Sequence, residues 1–506
     1  MNIKNYSTFM KRFIRKELLM LYVIILIGVF LRFPGVFTNS FAFTYDVGRD
    51  MLAIWNIVYN HKIILIGATT GIPGVFYGPW WYYMLVPFFV LFGGSPQGIA
   101  FILSIVGILS IFLSYYVGKR IGNSFLGLSM ALLTSMSPAM ISLSSQIWNP
   151  NIAPFFVLLT ILVLERIYTL KNKAKLTYFF VLGILLALNI DIEILWGILF
   201  SLGILTSLFI VLRKKLEVKK IVFIVLGALI VILPRIIFEL RHSFIMTKSF
   251  IAFFSAKTLE DKLDLYHFLE NRFFIHLDEF GKSFLQINNY LTIFLLLFIV
   301  VSVFLFYKKA PQIVKDFILT SLTVLLFFYI GSLIFTHALW PHYFVGLPVV
   351  YILLLSISLF LLSKKIGNNI LAAFILVILF VININSLEIP QRFNKPLWEG
   401  NASVYRNQLE VIDYIYAQAN GKPFKYVAYT PPVFDYTYQY LFKWYGPKKY
   451  KYLPSIKSNL AFFIIEPDPG YEDRPKWWLE DRKNDGKIIK SKTLKGGIVV
   501  QTRLVD

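Results

Sequence analysis

Between residues 18 and 386 the sequence is a succession of apolar runs, each near the ~20 residues that a helix needs to cross a bilayer's hydrocarbon core. Short clusters of lysine and arginine separate them. A segment surrounded by lipid must satisfy its own backbone polar groups, which a helix does, so the pattern predicts a polytopic α-helical membrane protein. Composition agrees, because 57% of the residues are hydrophobic and 15% charged, against roughly 25% charged in soluble domains. A net charge of +22 raises the question of nucleic acid. Such binding needs basic residues gathered on one folded face, and here they lie in short clusters between apolar runs. The absence of cysteine excludes disulfides, thiolate metal sites and a cysteine nucleophile. The basic start and the apolar run at 18–37 resemble a signal peptide, but the run is long and lacks a small-residue cleavage site, so it reads as an uncleaved first span.

The basic clusters at 11–16, 119–120, 171–175, 213–220, 308–315 and 364–365 mark the cytoplasmic side. The connections around 146–151, 189–193 and 337–342 contain no lysine or arginine, as outer loops should. Hydropathy and charge together predict about eleven transmembrane helices, at 18–37, 97–117, 124–142, 152–170, 176–190, 195–212, 221–239, 286–306, 317–336, 343–362 and 369–386, with a cytoplasmic N-terminus. The apolar stretch 79–92 is too short for a span, and counting it would invert every later loop, so it is expected to lie in the outer interface or to dip in and return. Residues 38–96 and 240–285 then form two long outer loops. The first holds an amphipathic helix from Asp46 to Asn60, with Met51, Ile54, Trp55, Val58 and Tyr59 on its apolar face. The second carries a similar pattern through Leu263, Phe268, Phe273 and Phe274. Past 386 the pattern changes to helices at 404–418 and 434–445 and strands at 426–429, 461–465, 488–492 and 497–502. The expected organisation is a membrane-embedded unit, 1–386, and a small extracytoplasmic α/β domain, 387–506.

Polar residues concentrate at the predicted outer junctions, where only simple basic clusters mark the inner ones. Asp46, Arg49 and Asp50 stand at i, i+3 and i+4 of the first loop helix, on one face beside the membrane. A capped helix start, with Asp46 as N-cap, explains the same spacing. Asn149 and Asn151 occupy one junction, and Asp191 and Glu193 the next; charge at membrane depth is costly enough to mark a site. Arg241, His242, His337, His342 and Tyr343 sit at later junctions, where a wetted interface histidine is the simpler reading. The glycines of 67–78 fit tight turns, and the aromatics after Pro79 fit an interface belt. The aromatic residues of the C-terminal domain suit sugar stacking, although a small core uses them as readily.

Three features together resemble the GT-C superfamily of polytopic glycosyltransferases that use polyprenyl-phosphate-linked sugars. They are the acidic motif Tyr45-Asp46-Val47-Gly48-Arg49-Asp50 after the first span, a long first outer loop with two juxtamembrane helices, and the run Phe76-Tyr77-Gly78-Pro79-Trp80-Trp81-Tyr82-Tyr83. The likeness, over roughly 18–240, is to the branch of protein mannosyltransferases, aminoarabinose transferases and lipopolysaccharide-core sugar transferases. It implies that Asp46 stands at the position of the catalytic carboxylate, acting as general base in an inverting transfer to a glycan, lipid or protein acceptor. Arg241 and His242 would assist departure of the lipid phosphate, and Arg49 would orient Asp46 or contact substrate. Asp50, Tyr77, Asn149, Asn151, Asp191, Glu193, His342 and Tyr343 would complete the binding surface. Relatives often carry an acid where Asn149 stands; an amide is a poor divalent-metal ligand, and Asp191 or Glu193 would supply some of the missing charge. No cofactor is expected, and dependence on a divalent metal is left open. The competing reading is a lipid-linked glycan polymerase, ligase or flippase. A flippase calls for charge at mid-membrane depth, and a solute transporter for internal repeats.

Overall fold

Apolar runs this long have one low-energy form in lipid, and the computed structural model is accordingly built of helices up to the last hundred residues. It describes residues 3–255, 265–285, 290–335, 337–386, 400–431 and 434–505. Leu263, the first residues of the expected 286–306 span and residues 387–399 lie outside that set. The helices run α1 Ile3–Arg32, α2 Pro34–Phe37, α3 Tyr45–Tyr59, α4 Trp80–Leu91, α5 Pro96–Ile121, α6 Ser124–Met136, α7 Pro138–Ser145, α8 Ala153–Leu170 and α9 Leu176–Ile192. They continue as α10 Ile194–Leu212, α11 Val218–Arg241, α12 Ile245–Ser255, α13 Leu265–Lys282, α14 Tyr290–Phe306, α15 Gln312–Ile334, α16 Leu347–Ile366 and α17 Ile370–Ser386. Among the described residues, seven helices are long and apolar enough to cross a membrane, namely α5, α8, α10, α11, α14, α15 and α16; α4, α9 and most of α17 are shorter apolar helices. The protein is a multi-pass membrane protein. Helix α16 is apolar all round and buried nearly throughout, as the central member of a bundle must be.

Two places show how the sequence shapes the bundle. Helices α9 and α11 meet through a reciprocal pair of glycines: a Cβ on Gly183 would stand 1.9 Å from the Ile224 carbonyl oxygen, and one on Gly227 2.0 Å from that of Phe180. Small residues let helix backbones approach closely where lipid offers no hydrophobic drive. The expected span at 124–142 is broken instead, with α6 and α7 bent by 60° at Ser137. Pro138 has no N–H to continue the ladder, Ser137 Oγ caps the new helix at Met140 N (3.3 Å), and the Arg32 guanidinium takes up the released carbonyls of Thr134 and Ser135, both at 2.9 Å. The basic residues expected on the inner side are also less simple than the sequence suggests. Lys119 pairs with buried Glu17 (2.8 Å) and Arg120 with buried Glu165 (2.7 Å), tying α5 to α1 and α8.

The C-terminal elements are α18 Tyr405–Ala419, β1 Lys425–Tyr429, α19 Tyr436–Tyr450, β2 Leu460–Ile465, α20 Asp473–Glu480, β3 Lys487–Thr493 and β4 Val499–Leu504. The sheet order is β1-β2-β4-β3, with β1 and β2 parallel across the α19 crossover and the other pairs antiparallel. Edge strand β3 is exposed and carries Lys487, Lys490 and Lys492, charges that discourage pairing with another edge. The other side of the sheet shares one core with the first loop: Phe462, Ile464 and Val500 join Val411, Tyr438 and Leu441, and these join Val47, Met51 and Ile54 of α3 and Trp81, Leu85 and Phe89 of α4. Backbone bonds fix the junction, from Phe43 N to Ser403 O (2.7 Å) and from Tyr405 N to Phe41 O (3.1 Å). Trp444 Nε1 donates to Gly93 O (2.7 Å), and Tyr440 donates to Gly94 O.

Candidate active site

The acidic motif folds as the first two turns of α3, and its two carboxylates meet different fates. Thr44 is the N-cap residue, with extended backbone and no side-chain bond, so Asp46 is a first-turn residue and not the cap. Arg49 lies between the acids: its NH1 is 2.7 Å from Asp46 Oδ1, and its NH2 and Nε donate to Asp50 Oδ1 at 2.9 and 3.1 Å. Asp50 also accepts from Trp81 Nε1 (2.9 Å) and the Tyr82 hydroxyl (3.1 Å), and is 2% exposed. The Asp46 side chain is 23% exposed. Burial raises the Asp46 carboxyl above the usual range, and the Arg49 charge opposes that rise. Asp46 lines a cavity of about 430 Å³ whose far wall holds Gln408, Thr430, Thr437 and Glu466 of the C-terminal segment.

Other residues singled out from the sequence gather behind this motif. The Tyr77 hydroxyl donates to Glu193 Oε2 at 2.8 Å. Burial lifts the Glu193 carboxyl to about 8, and the Tyr77 phenol is raised by burial and then by Glu193, Tyr343 and Asp46, which places these groups in one neighbourhood. Tyr77, Glu193 and Tyr343 line a second cavity of about 60 Å³. Asp191 is held by three elements: its Oδ2 accepts from Trp80 N at the start of α4 (3.1 Å), its carbonyl from Gly78 N (2.9 Å), and its Oδ1 faces Arg235 NH2 at 3.3 Å. Asn149 Nδ2 donates to Ile192 O (2.6 Å) while its buried Oδ1 has no partner, and Asn151 Nδ2 bonds Gln146 O (3.1 Å). His342 packs edge-on against Trp148, and burial lowers its ring to about 4, so it is neutral at pH 7.

Arg241 and His242 are placed elsewhere. Both are exposed at the end of α11, and the His242 ring stacks on Phe238 while Nδ1 meets Phe238 O at 2.9 Å. Lys220 and Arg235 are the buried cations of this helix, and Arg235, within the apolar run and facing Asp191, is signalled in the sequence by its charge there. It borders an open groove of about 490 Å³ walled by Ile190, Ile194, Ile198, Ile232 and Ile236. Glu466 and Gln408 had no sequence signal, because only the fold brings them opposite Asp46. Asp46 and Asp50 are bridged by Arg49, and among the described residues no three His, Asp or Glu side chains converge as a metal site.

Residues 77–238 match the family described as dolichyl-phosphate-mannose-protein mannosyltransferase. The match starts after Asp46 and takes in Tyr77, Asp191, Glu193 and Arg235. No curated protein matches the sequence. Among solved structures, ArnT from Cupriavidus metallidurans in the apo state is similar with a TM-score of 0.58 at 11% identity, over 97% of this chain and 98% of that one. The same protein bound to undecaprenyl phosphate gives 0.56 at 11% identity over the same shares. The Archaeoglobus fulgidus oligosaccharyltransferase, in complex with Zn and sulfate, gives 0.47 at 15% identity over 74% of this chain. The chain spans about half that protein's length, 53%.

Proposed function

On the fold of the GT-C membrane glycosyltransferases, which this chain shares, we propose that the protein moves a sugar from a polyprenyl-phosphate carrier to an acceptor at the outer membrane face. Asp46 is the general base. One observation carries the reading: of two adjacent carboxylates, Asp50 is sealed by Arg49, Trp81 and Tyr82, while Asp46 keeps an open edge on a polar cavity with one oxygen oriented by Arg49.

An acceptor hydroxyl is a weak nucleophile, so a carboxylate within hydrogen-bond reach takes its proton as the oxygen attacks the anomeric carbon. The bond from that carbon to the phosphate oxygen breaks in the same displacement, the phosphate leaves with the electron pair, and the configuration inverts. Donors aimed at the departing phosphate stabilise the charge it gains. Arg235 borders the groove, and Arg241 follows the groove-lining Leu240, so both can serve a phosphate whose isoprenoid tail lies along the isoleucines. The undecaprenyl phosphate bound to ArnT and the dolichyl-phosphate donor in the matched family's description support this donor class. Tyr77 and Glu193, bonded to each other, line the smaller cavity and not the one that Asp46 borders.

The test is a transfer assay with a panel of radiolabelled polyprenyl-phosphate sugars and purified protein. Asp46→Asn keeps the shape and removes the base, so turnover is expected to fall by about 10²–10⁴-fold with the unfolding midpoint unchanged. Near-normal transfer by the variant would end the assignment of the base.

A further inference from the structure

We infer that the cavity between α3 and the C-terminal sheet is the acceptor subsite, built to take a hydroxyl-rich, unphosphorylated glycan face through Gln408, Thr430 and Glu466. This deepens the transferase reading and rests on it for the word acceptor, though not for the binding itself. Gln408 is 1% exposed and Thr430 2% exposed, yet Gln408 Oε1 and Thr430 Oγ1 have no hydrogen-bond partner. Buried polar atoms are rarely left so, because the lost hydration is not recovered. Both line the cavity. Glu466, also buried, is held from behind by the Tyr438 hydroxyl (2.8 Å) and Gln408 Nε2 (3.4 Å), and both bonds land on Oε1.

An amide oxygen, a hydroxyl and a carboxylate form a set dominated by acceptors, which matches the hydroxyl donors of a sugar. The lining also bears on charge. It contains two carboxylates, Asp46 and Glu466, and no lysine or arginine among the described residues. The nearby Arg49 is engaged by Asp46 and Asp50, so a phosphorylated or carboxylated acceptor would meet no cation of the lining itself, whereas a neutral or amine-bearing glycan needs none. The volume, about 430 Å³, lies within the range of small-molecule sites and suits a sugar unit or two rather than an extended chain. Asp46 and Glu466 bound the same space, so a ring held against the C-terminal wall presents a hydroxyl to the base.

The test is saturation-transfer NMR on the full chain in lipid nanodiscs. The probes are methyl β-D-glucoside, methyl β-D-galactoside and methyl α-D-mannoside, with glucose 6-phosphate as the anionic counterpart. At least one neutral glycoside is expected to bind, and glucose 6-phosphate more weakly. Thr430→Val and Gln408→Leu should each weaken the bound glycoside by about fivefold or more, the loss of one hydrogen bond. Thr430→Val conserves volume and decides the matter if Gln408→Leu does not fold. The subsite is overturned if no neutral glycoside binds, if glucose 6-phosphate binds more tightly, or if the folded variants keep the wild-type affinity. A wild-type protein that binds a glycoside in this manner but moves no sugar from any lipid carrier overturns the transferase reading and leaves the subsite standing.

Discussion

Asp46 and Asp50 differ by one helical turn and by everything around them. Trp81, Tyr82 and Arg49 converge on Asp50, so Asp50→Ala strands a guanidinium, an indole N–H and a hydroxyl in a buried site. Removing one partner of a buried pair costs about 3–5 kcal/mol, and a clear fall in the unfolding midpoint is expected, where Asp46→Asn leaves it nearly unchanged. Spacing alone could place both acids on one helix face, but it could not say which is sealed, since that depends on aromatic residues thirty positions away. Glu193 offers a second test at this scale. Burial lifts its carboxyl from the ordinary 4.5 to about 8, so the folded state holds more protons than the unfolded chain between those values. Stability therefore falls as pH rises through that window. Glu466, lifted to about 7, adds to the same slope. Glu193→Gln should flatten the dependence of the unfolding midpoint between pH 5 and pH 8; a slope identical to wild type would refute the buried, proton-holding carboxyl.

At the level of elements, the join between α3 and α19 depends on Gly48. A Cβ there would lie 2.5 Å from Thr437 N and 2.6 Å from the Tyr436 carbonyl carbon, both backbone atoms that cannot swing aside. Glycine to alanine within a helix gains up to about 1 kcal/mol in propensity, and overpacking against backbone costs about 1–3 kcal/mol, so the clash wins. Gly48→Ala should lower the unfolding midpoint and speed proteolytic cleavage near α19, measured by limited digestion of the full chain. The membrane helices themselves were legible from their apolar runs, and the C-terminal strands fall within a residue or two of the expected ranges. Pro138 announces the bend between α6 and α7, although a window of hydropathy runs straight across it. The shared core of α3, α4 and the sheet was not legible, because amphipathic faces state that they need a cover and not which cover they receive.

Across the whole molecule, the asymmetry of charge fixes a direction that helix lengths alone do not. Lysine and arginine follow the ends of α8, α10 and α16, whereas Asn149, Asp191, Glu193 and His342 gather at the opposite ends. By the positive-inside rule the first set is expected to face the cytoplasm, and the proposal that the Asp46 cavity and the C-terminal sheet face outward rests on that rule. About eleven crossings satisfy this pattern, provided that α4 does not span. A cysteine-free chain makes the arrangement directly measurable. Ser491→Cys, on exposed strand β3, and Asn172→Cys, in the exposed turn after α8, should respond oppositely to a membrane-impermeant maleimide. In intact cells the first is expected to label and the second to stay protected until the membrane is opened. Labelling of Asn172→Cys with protection of Ser491→Cys would turn the molecule over and put the candidate base on the wrong side for a lipid carrier presented outside. Equal protection of both would mean that the crossings between residues 172 and 491 differ by an odd number from those proposed, with the short apolar helices α9 and α17 the first to reassign.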